Sequence, residues 1–247
     1  MLELAIIGPE ETGKSRLFEL LTGVKPREEI LSETFTAPVG TCPVDEERIN
    51  ALQAILKRPN TIPLSVSILD FPGFSAKTPS RLMNRILAEV KRAEVLLIVF
   101  KAFSEQDAGR IIKDFKSFRD ELLILDLSIA EHAFSNLKSK LKAMKHPEED
   151  PKYKLLSKVV SLLEEQKILS HELTIEERDS LKDLALLSAR PWLIVLNLGE
   201  NVFTKAEVRE GLCEYFCDEG VACCPIPVQL AFELAELETE DERAEFR

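Results

Sequence analysis

The sequence lacks any long hydrophobic run: its longest uninterrupted apolar stretch covers only Val95 to Phe100. Such a stretch is far too short to cross a bilayer, which takes about 20 apolar residues. The first residues also lack the pattern of a secretory signal peptide. We therefore expect a cytoplasmic protein with no membrane as its partner.

Metal-binding cysteine spacings and an excess of positive charge are absent as well. The five cysteines form no C-x-x-C pair, and the three histidines are not interleaved with them. This pattern disfavours a cysteine-bound metal and favours reduced thiols in a cytoplasm. Because 43 acidic residues outnumber 32 basic ones, for a net charge of -11, the composition argues against sequence-independent binding to DNA or RNA.

What the 247 residues do contain is a regular alternation of short apolar runs and amphipathic helical stretches. This alternation is typical of an α/β protein with a mostly parallel sheet covered by helices. A capping box, Thr204 with Glu207, is expected to open the last predicted helix. The predicted strands cover residues 2–7, 64–69, 95–100, 192–196 and 221–226, and the predicted helices cover 14–21, 46–57, 80–91 and 205–216.

The segment GPEETGKS, from Gly8 to Ser15, follows the first predicted strand and opens the first predicted helix. Its spacing is that of a phosphate-binding loop, whereas an ordinary strand-to-helix turn is the alternative. A glycine-rich turn in this position directs backbone N–H groups and the positive end of the helix dipole to one point, where anions bind. Lys14 is predicted to reach the outer phosphates. The predicted nucleotide-binding residues of this segment are Gly8, Glu11, Thr12, Gly13, Lys14, Ser15 and Arg16.

The second predicted strand ends in the string Leu-Asp-Phe-Pro-Gly, which contains Asp70 and Gly73. In phosphate-loop enzymes an aspartate at this point holds Mg²⁺ through a water, and the glycine N–H contacts the terminal phosphate. We therefore predict that the metal site is formed by Ser15, directly, and by Asp70, through water. Lys14 and Gly73 are predicted to have catalytic roles.

A candidate base-recognition string, Asn197-Leu198-Gly199-Glu200, follows the apolar run that begins at Trp192. Guanine-specific enzymes have Asn-Lys-x-Asp here, and the aspartate accepts two hydrogen bonds from guanine. In this chain a glutamate replaces the aspartate and a leucine replaces the lysine. A site that loses these bidentate bonds loses its selectivity for guanine. Asn197, Leu198 and Glu200 are predicted to contact the base.

The alternation is interrupted between the third and fourth predicted strands. Apolar residues there recur in steps of three and four, as on a long helix with one apolar seam. Two prolines and acidic residues at 146–151 end this helix, and a capping box, Thr174 with Glu177, opens a third helical stretch to about residue 187. We interpret the insertion as an antiparallel helical hairpin, a coiled-coil arm; helices packed on the sheet are the alternative. The seam comprises Leu123, Leu127, Ala130, Phe134, Leu137 and Leu141, then Leu156, Val160 and Leu163.

The sequence resembles the Obg-like ATPases of the YchF type, a branch of the Obg P-loop GTPase family. The resemblance rests on GPEETGKS, LDFPG, RDELLILDL from Arg119, LSARPWLIVLNLGE from Leu187, and FELAEL. It implies a G domain with an inserted helical arm, Mg²⁺ with ATP or GTP as ligands, and action near the ribosome or the translation machinery. In this family the Asn-x-x-Glu string is associated with a preference for ATP. A hydrophobic residue, here Phe74, stands where classical GTPases place a water-positioning glutamine.

The chain also departs from the family pattern. The glycine-rich switch segment after Asp-x-x-Gly is missing, Glu10 and Glu11 lie inside the phosphate loop, and Pro227-Val228 replaces a Ser-Ala base-contacting loop. The family continues into a small TGS domain, whereas this sequence stops at Arg247. The threonine that completes the Mg²⁺ site in such switches is Thr34, Thr36 or Thr41.

We therefore predict a P-loop NTPase G domain formed by residues 1–117 and 188–247, with residues 118–187 as the inserted arm. The predicted function is that of a Mg²⁺-dependent nucleotide-binding protein, a slow NTPase switch that favours ATP over GTP. The alternative is a degenerate nucleotide-binding or non-hydrolysing interaction module that acts through its helical arm, with the ribosome as the partner that the resemblance implies.

Overall fold

The described strands of the computed structural model form one six-stranded sheet in the order β2-β3-β1-β4-β5-β6. Strand β2 is antiparallel to β3, and every other neighbouring pair is parallel. The structure describes residues 2–25, 36–44, 55, 64–74, 78–103, 107–142 and 146–236. The strands are β1 (Glu3–Ile7), β2 (Val39–Val44), β3 (Leu64–Asp70), β4 (Val95–Ala102), β5 (Trp192–Leu198) and β6 (Ala222–Ile226).

Helices cover both faces of this sheet, so its central strands are apolar on both sides, as parallel strands usually are. On one face Ile7 and Ile98 lie in a large buried cluster, and on the other Ile6 and Val99 lie in a smaller one. The helices are α1 (Lys14–Thr22), α2 (Ser80–Val90), α3 (Asp107–Leu141), α4 (Pro151–Glu164), α5 (Leu169–Glu172), α6 (Ile175–Ser180), α7 (Glu200–Phe203), α8 (Ala206–Asp218) and α9 (Val228–Glu236), with 3-10 turns at Pro147–Glu149 and Lys182–Leu184.

The predicted mostly parallel α/β architecture is confirmed, and each predicted strand appears within two residues of its expected bounds. Strand β2 and helices α5, α7 and α9 were not predicted. The predicted helix at 46–57 lies outside the described residues except for Ile55, which is helical. The predicted capping box at Thr204 is wrong: α7 ends there with Thr204 in a helical conformation, and the N-cap of α8 is Lys205, without a side-chain bond.

The insertion between β4 and β5 contains a pair of helices, α3 and α4, that pack against each other. The 35-residue α3 begins on the sheet, where Phe115 and Phe118 join the large cluster. Its later residues form a separate cluster with α4, and Phe134 meets Tyr153 with ring centroids 4.9 Å apart. Because α3 is continuous, the predicted boundary between residues 117 and 118 falls inside it; the division into domains stays a prediction.

The return from the hairpin to β5 is less regular than predicted. The capping box is confirmed, since the Thr174 hydroxyl and the Glu177 carboxylate each accept the other residue's backbone N–H. The helix that it opens ends at Ser180, well before residue 187. Among the described helices, none is both long and apolar enough to cross a membrane.

A buried carboxylate holds this return segment to α3. Asp126, which is fully buried, accepts hydrogen bonds from the backbone N–H groups of Leu187 and Ser188, at 2.8 and 2.7 Å, and from the Ser188 hydroxyl at 2.6 Å. Burial raises the pKa of Asp126 to about 6, although these bonds and nearby Arg190 oppose the shift. The bonds place the chain for its entry into β5.

Candidate functional site

The loop between β1 and α1 lies at the carboxyl end of the central strand, between β3 on one side and β4 on the other. In open α/β sheets, ligands bind in the crevice outside the strand ends at the point where the strand order reverses. Ile6 of β1 lies opposite Asp70 of β3 in the ladder. The fold therefore brings the predicted phosphate loop and the predicted metal-binding aspartate to one edge of the sheet.

The backbone of this loop adopts conformations that favour glycine. Gly8 and Gly13 have φ values of 141° and 89°, and Glu11 has a φ of 57°. A Cβ on Gly8 would lie 2.5 Å from the Val99 carbonyl oxygen, and one on Gly13 would lie 2.3 Å from Asn197 Nδ2. Gly13 is also the N-cap of α1 and makes no side-chain cap bond. The loop is thus a closely packed backbone turn whose helix N-terminus has no side-chain oxygen bound at its cap.

Lys14 is almost completely buried at the start of α1, with 6% of its surface exposed. Its Nζ donates a hydrogen bond to the carbonyl oxygen of Pro9, which lies across the loop. Burial lowers the pKa of Lys14 to about 8, while the carboxylates of Asp70 and Glu10 oppose this shift. A polyphosphate in the loop would favour the charged ammonium in the same way.

Asp70 is 2% exposed, and neither of its carboxylate oxygens has a hydrogen-bond partner within normal geometry among the described residues. Burial raises its pKa to about 6, and the Ser15 hydroxyl and Lys14 oppose the shift. The Ser15 hydroxyl therefore lies beside the Asp70 carboxylate, at the start of α1. A buried carboxylate with free oxygens is costly unless a cation or donor reaches it, so this position suits a metal ion.

The two glutamates of the loop are both exposed. The side chain of Glu11 is 88% exposed, with Oε2 3.8 Å from Nζ of Lys101, and so lies in solvent. Glu10 lies against Gly73: a Cβ on Gly73 would come within 2.7 Å of the Glu10 Cα and 2.8 Å of its N. Gly73 therefore has to be a glycine for the end of the β3 string to approach the phosphate loop.

Asn197, at the end of β5, connects two loops of the site. Its Nδ2 donates to the Thr12 carbonyl at 3.0 Å, and its Oδ1 accepts from the Val228 N–H at 3.3 Å. Thr12 is itself held by a bond from its hydroxyl to the Pro9 carbonyl, at 3.1 Å. The amide therefore fixes the phosphate loop relative to the start of α9.

The other predicted base-contacting and loop residues have distinct surroundings. The side chain of Leu198 is buried in the large cluster, while Glu200 is exposed at the first position of α7. The Arg16 guanidinium lies over the Phe232 ring of α9, 3.3 Å from its centroid, and 3.3 Å from the Glu19 carboxylate. The predictions for these side chains as nucleotide contacts stay predictions.

Around the site, Phe74 is buried and packs against Phe118 of α3, with ring centroids 5.6 Å apart.

Of the three candidate threonines, Thr36 is exposed just before β2, Thr41 lies on β2, and Thr34 lies outside the described residues. Sequence reasoning missed the Phe232 contact because α9 was not predicted, although the apolar spacing in FELAEL was a possible signal for it.

Comparison with known proteins agrees with this geometry. A family model described as 50S ribosome-binding GTPase matches residues 3–197. The Ribosome-binding ATPase YchF of Pasteurella multocida is 27% identical over 254 residues, covering 98% of this chain and 69% of that protein. The protein of the same name from Bacillus subtilis is 26% identical over 255 residues, with the same coverage of 98% and 69%.

Solved structures show the same fold. The YchF GTPase of Schizosaccharomyces pombe superposes with a TM-score of 0.74 at 21% identity, covering 99% of this chain and 70% of that one. A GTP-binding protein from Pyrococcus horikoshii gives 0.52 at 15% identity, covering 97% and 68%. Since the family match extends over most of the sequence and includes the phosphate loop, Asp70 and Asn197, the chain belongs to the 50S ribosome-binding GTPase family, in which it is similar to the YchF proteins.

Proposed function

We propose that the chain is a Mg²⁺-dependent NTPase switch of the YchF type, which binds ATP at least as well as GTP and hydrolyses it slowly. The observation that carries this proposal is the pair of opposite charges buried at the phosphate loop. Asp70 has no hydrogen-bond partner among the described residues, and the Lys14 ammonium donates to the carbonyl oxygen of Pro9 in the loop itself. Both charges are costly without a ligand, and Mg²⁺ with a polyphosphate would supply a partner for each.

The residues present fit Mg²⁺. This ion prefers oxygen ligands and keeps several waters, so one hydroxyl and one carboxylate that acts through water are a suitable protein contribution. Ser15 and Asp70 would hold it, and bound there it would neutralise charge on the phosphates.

In this proposal, groups of the chain itself bind and position the phosphates. Lys14 would leave the Pro9 carbonyl for the outer phosphates, and the N–H groups at the start of α1 would bind phosphate oxygens. Gly73 would offer its N–H to the terminal phosphate. Phosphoryl transfer depends mainly on positioning and charge neutralisation. Because Phe74 is buried against α3, no side chain at that position orients a water, and we expect slow turnover.

Base choice follows from Asn197 and Glu200. The side-chain amide of Asn197 bonds to the two loops. Leu198 is buried in the core, so no lysine side chain lies along the base at this position. Glu200 is exposed at the start of α7, one methylene longer than the aspartate of guanine readers. A site without the fitted bidentate carboxylate should not prefer guanine strongly.

Ribosome association in the cytoplasm is proposed on the names of the relatives, which are called ribosome-binding. The second candidate function, a non-hydrolysing module that acts through the α3–α4 hairpin, is favoured by the hairpin's own hydrophobic cluster. That cluster would keep the hairpin folded whether or not nucleotide is bound.

The test is titration calorimetry with ATP, GTP and their diphosphates, with and without Mg²⁺. We expect Mg-ATP to bind at least as tightly as Mg-GTP, and Asp70→Asn to lose about tenfold or more of the Mg²⁺-dependent gain in affinity. Asp183→Asn, at an exposed aspartate of the 3-10 turn Lys182–Leu184, is the matched control and should behave as wild type.

Phosphate release provides the second readout. Lys14→Ala should abolish it, since the phosphates then lose their only predicted ammonium partner. A strong preference for guanine would contradict the base assignment. An unchanged rate in Lys14→Ala would overturn the catalytic one, and ATP binding without turnover would favour the non-hydrolysing module.

A further inference from the structure

Four of the five cysteines lie on two neighbouring elements at one edge of the sheet. Cys213 and Cys217 belong to α8, and Cys223 and Cys224 belong to β6. The Sγ atoms of Cys213 and Cys223 are 3.7 Å apart, and all of these thiols are free. The fifth, Cys42, lies on β2 at the opposite edge. Among the described residues, no group of three or more histidine, cysteine, aspartate or glutamate side chains is placed to hold a metal ion, so we consider these four thiols for their redox chemistry.

We propose that Cys213 and Cys223 are a reactive pair that closes into an intramolecular disulfide when the protein meets a peroxide or a small-molecule disulfide. Disulfides of cytosolic proteins are usually of this transient, redox-responsive kind.

The turn between α8 and β6 holds the two sulfurs near each other. Gly220 has a φ of 76° and ends the helix, and its N–H donates to the Cys217 carbonyl at 2.9 Å. The Val221 N–H donates to the Phe216 carbonyl, also at 2.9 Å. These bonds direct the chain back along α8. The sulfurs then need to approach by less than about 2 Å to reach the S–S bond length of about 2.05 Å.

The pairings within each element are poorer. Cys213 and Cys217 are one helical turn apart, with Cβ atoms about 5–6 Å from each other, beyond the separation of about 3.5–4.5 Å that a disulfide needs. Cys223 and Cys224 are neighbours on a strand, so their side chains point to opposite faces of the sheet. In agreement, Cys223 packs beside the large cluster that contains Leu212 and Phe216 of α8. Cys224 is exposed.

A hydroperoxide would oxidise the two thiols in two steps. The Cys213 sulfur attacks the O–O bond, becomes a sulfenic acid, and releases an alcohol, or water from H₂O₂. The Cys223 sulfur then displaces the hydroxyl group, which leaves as water with the Cys223 proton. The two thiols lose two protons and two electrons in total, and the peroxide is reduced. With a small-molecule disulfide, Cys213 forms a mixed disulfide and releases one small thiol, and Cys223 then displaces the second small thiol. Burial raises the pKa of Cys223, which disfavours its thiolate as the first nucleophile. We therefore assign the first attack to Cys213, and Cys223, 3.7 Å away, resolves the intermediate.

The experiment treats the full chain with a small excess of H₂O₂ or oxidised glutathione and maps the peptides under non-reducing conditions. We expect loss of two hydrogens and a linked peptide that joins Cys213 to Cys223, reversed by a dithiol. The melting temperature of the oxidised chain should be higher, by on the order of 5 °C, because the disulfide reduces the conformational entropy of the unfolded chain.

Four serine variants test the assignment. Cys213→Ser and Cys223→Ser should each abolish the linked species, whereas Cys217→Ser and Cys224→Ser, the matched controls, should retain it. A linkage that persists in either of the first two variants would overturn the proposal. So would wild-type mapping that finds another pairing, a disulfide between two chains, or only overoxidised single cysteines. Mapping of the wild type does not depend on the folding of any variant.

Discussion

At the scale of single residues, Asp70 and Lys14 show how the site is destabilised in the absence of ligand. Burial moves both pKa values towards the neutral forms, Asp70 up to about 6 and Lys14 down to about 8. Each group therefore lowers the free energy of unfolding when it is charged and the loop is empty. Functional sites commonly hold groups of this kind, at a cost in stability.

The pH dependence of stability should reveal Asp70. Its pKa is raised from 3.8 to about 6 in the folded chain, so the folded state binds this proton more tightly than the unfolded state. Its contribution therefore favours folding below pH 4 and is lost as the pH rises through 6. The free energy of unfolding of Asp70→Asn, relative to wild type, should increase by up to about 3 kcal/mol between pH 4 and pH 7.

Urea denaturation of the nucleotide-free protein at the two pH values measures this difference. Asp183→Asn is again the control, since Asp183 is exposed and a surface charge should contribute little. A constant difference between wild type and Asp70→Asn across this range would show that the carboxylate is not held in a low-dielectric site.

The positions of many candidate site residues could be predicted because these residues belong to short sequence motifs. The spacing of Gly8, Gly13 and Lys14 indicates a phosphate loop from the sequence alone, and the Asp70 string follows on the adjacent strand. The dual bonds of Asn197 were not predictable, because they join residues 185 and 31 positions away along the chain. Such pairings depend on strand order, which no local pattern contains.

At the scale of elements, α3 and the segment before β5 depend on Asp126. In Asp126→Ala the buried N–H groups of Leu187 and Ser188 lose their acceptor, and an unpaired buried donor costs roughly 1–3 kcal/mol. We expect the free energy of unfolding to fall by about 3 kcal/mol, measured by urea denaturation.

The exposed Glu131 of the same helix offers a control. Glu131→Ala should change the free energy of unfolding by less than about 0.5 kcal/mol. Asp126→Asn, which keeps one acceptor oxygen, should lie between the two. Equal stability of Asp126→Ala and wild type would mean that the return segment is held by its apolar contacts alone.

Helices and strands with a clear apolar pattern were predictable from the sequence. Elements that form only through pairing or packing with neighbouring elements were not. The five predicted strands are short segments rich in apolar residues, and their bounds were found within two residues. Strand β2, Val39–Val44, contains a glycine and a proline and becomes a strand by antiparallel pairing with β3 at the sheet edge, where proline is tolerated. The capping box at Thr204 failed because the unpredicted α7 occupies that position as helix.

At the scale of the whole molecule, charge limits the kinds of partner. The net charge is -11, and the exposed lysines near the end of α3 do not all lie on one side: Lys138 and Lys140 lie about 200° apart around the helix axis. Lys142 lies on the side of Lys138, and Lys145 lies outside the described residues.

We therefore expect no measurable affinity for a plain RNA duplex at 0.15 M salt, with a Kd weaker than about 100 µM. Fluorescence anisotropy with a labelled duplex at low and at physiological salt measures it. A Kd in the low micromolar range that weakens steeply with added salt would contradict this expectation, and would show that a basic surface forms that the helical spacing does not predict.

The continuity of α3 has a mechanical consequence. Phe74, next to the glycine that approaches the phosphate loop, packs on Phe118, and from there the same helix runs without interruption to Leu141. That is a rigid lever of about 35 Å. A tilt of only 5° at Phe118 would move its far end by about 3 Å, so a displacement too small to disturb the sheet would still be large where the hairpin turns.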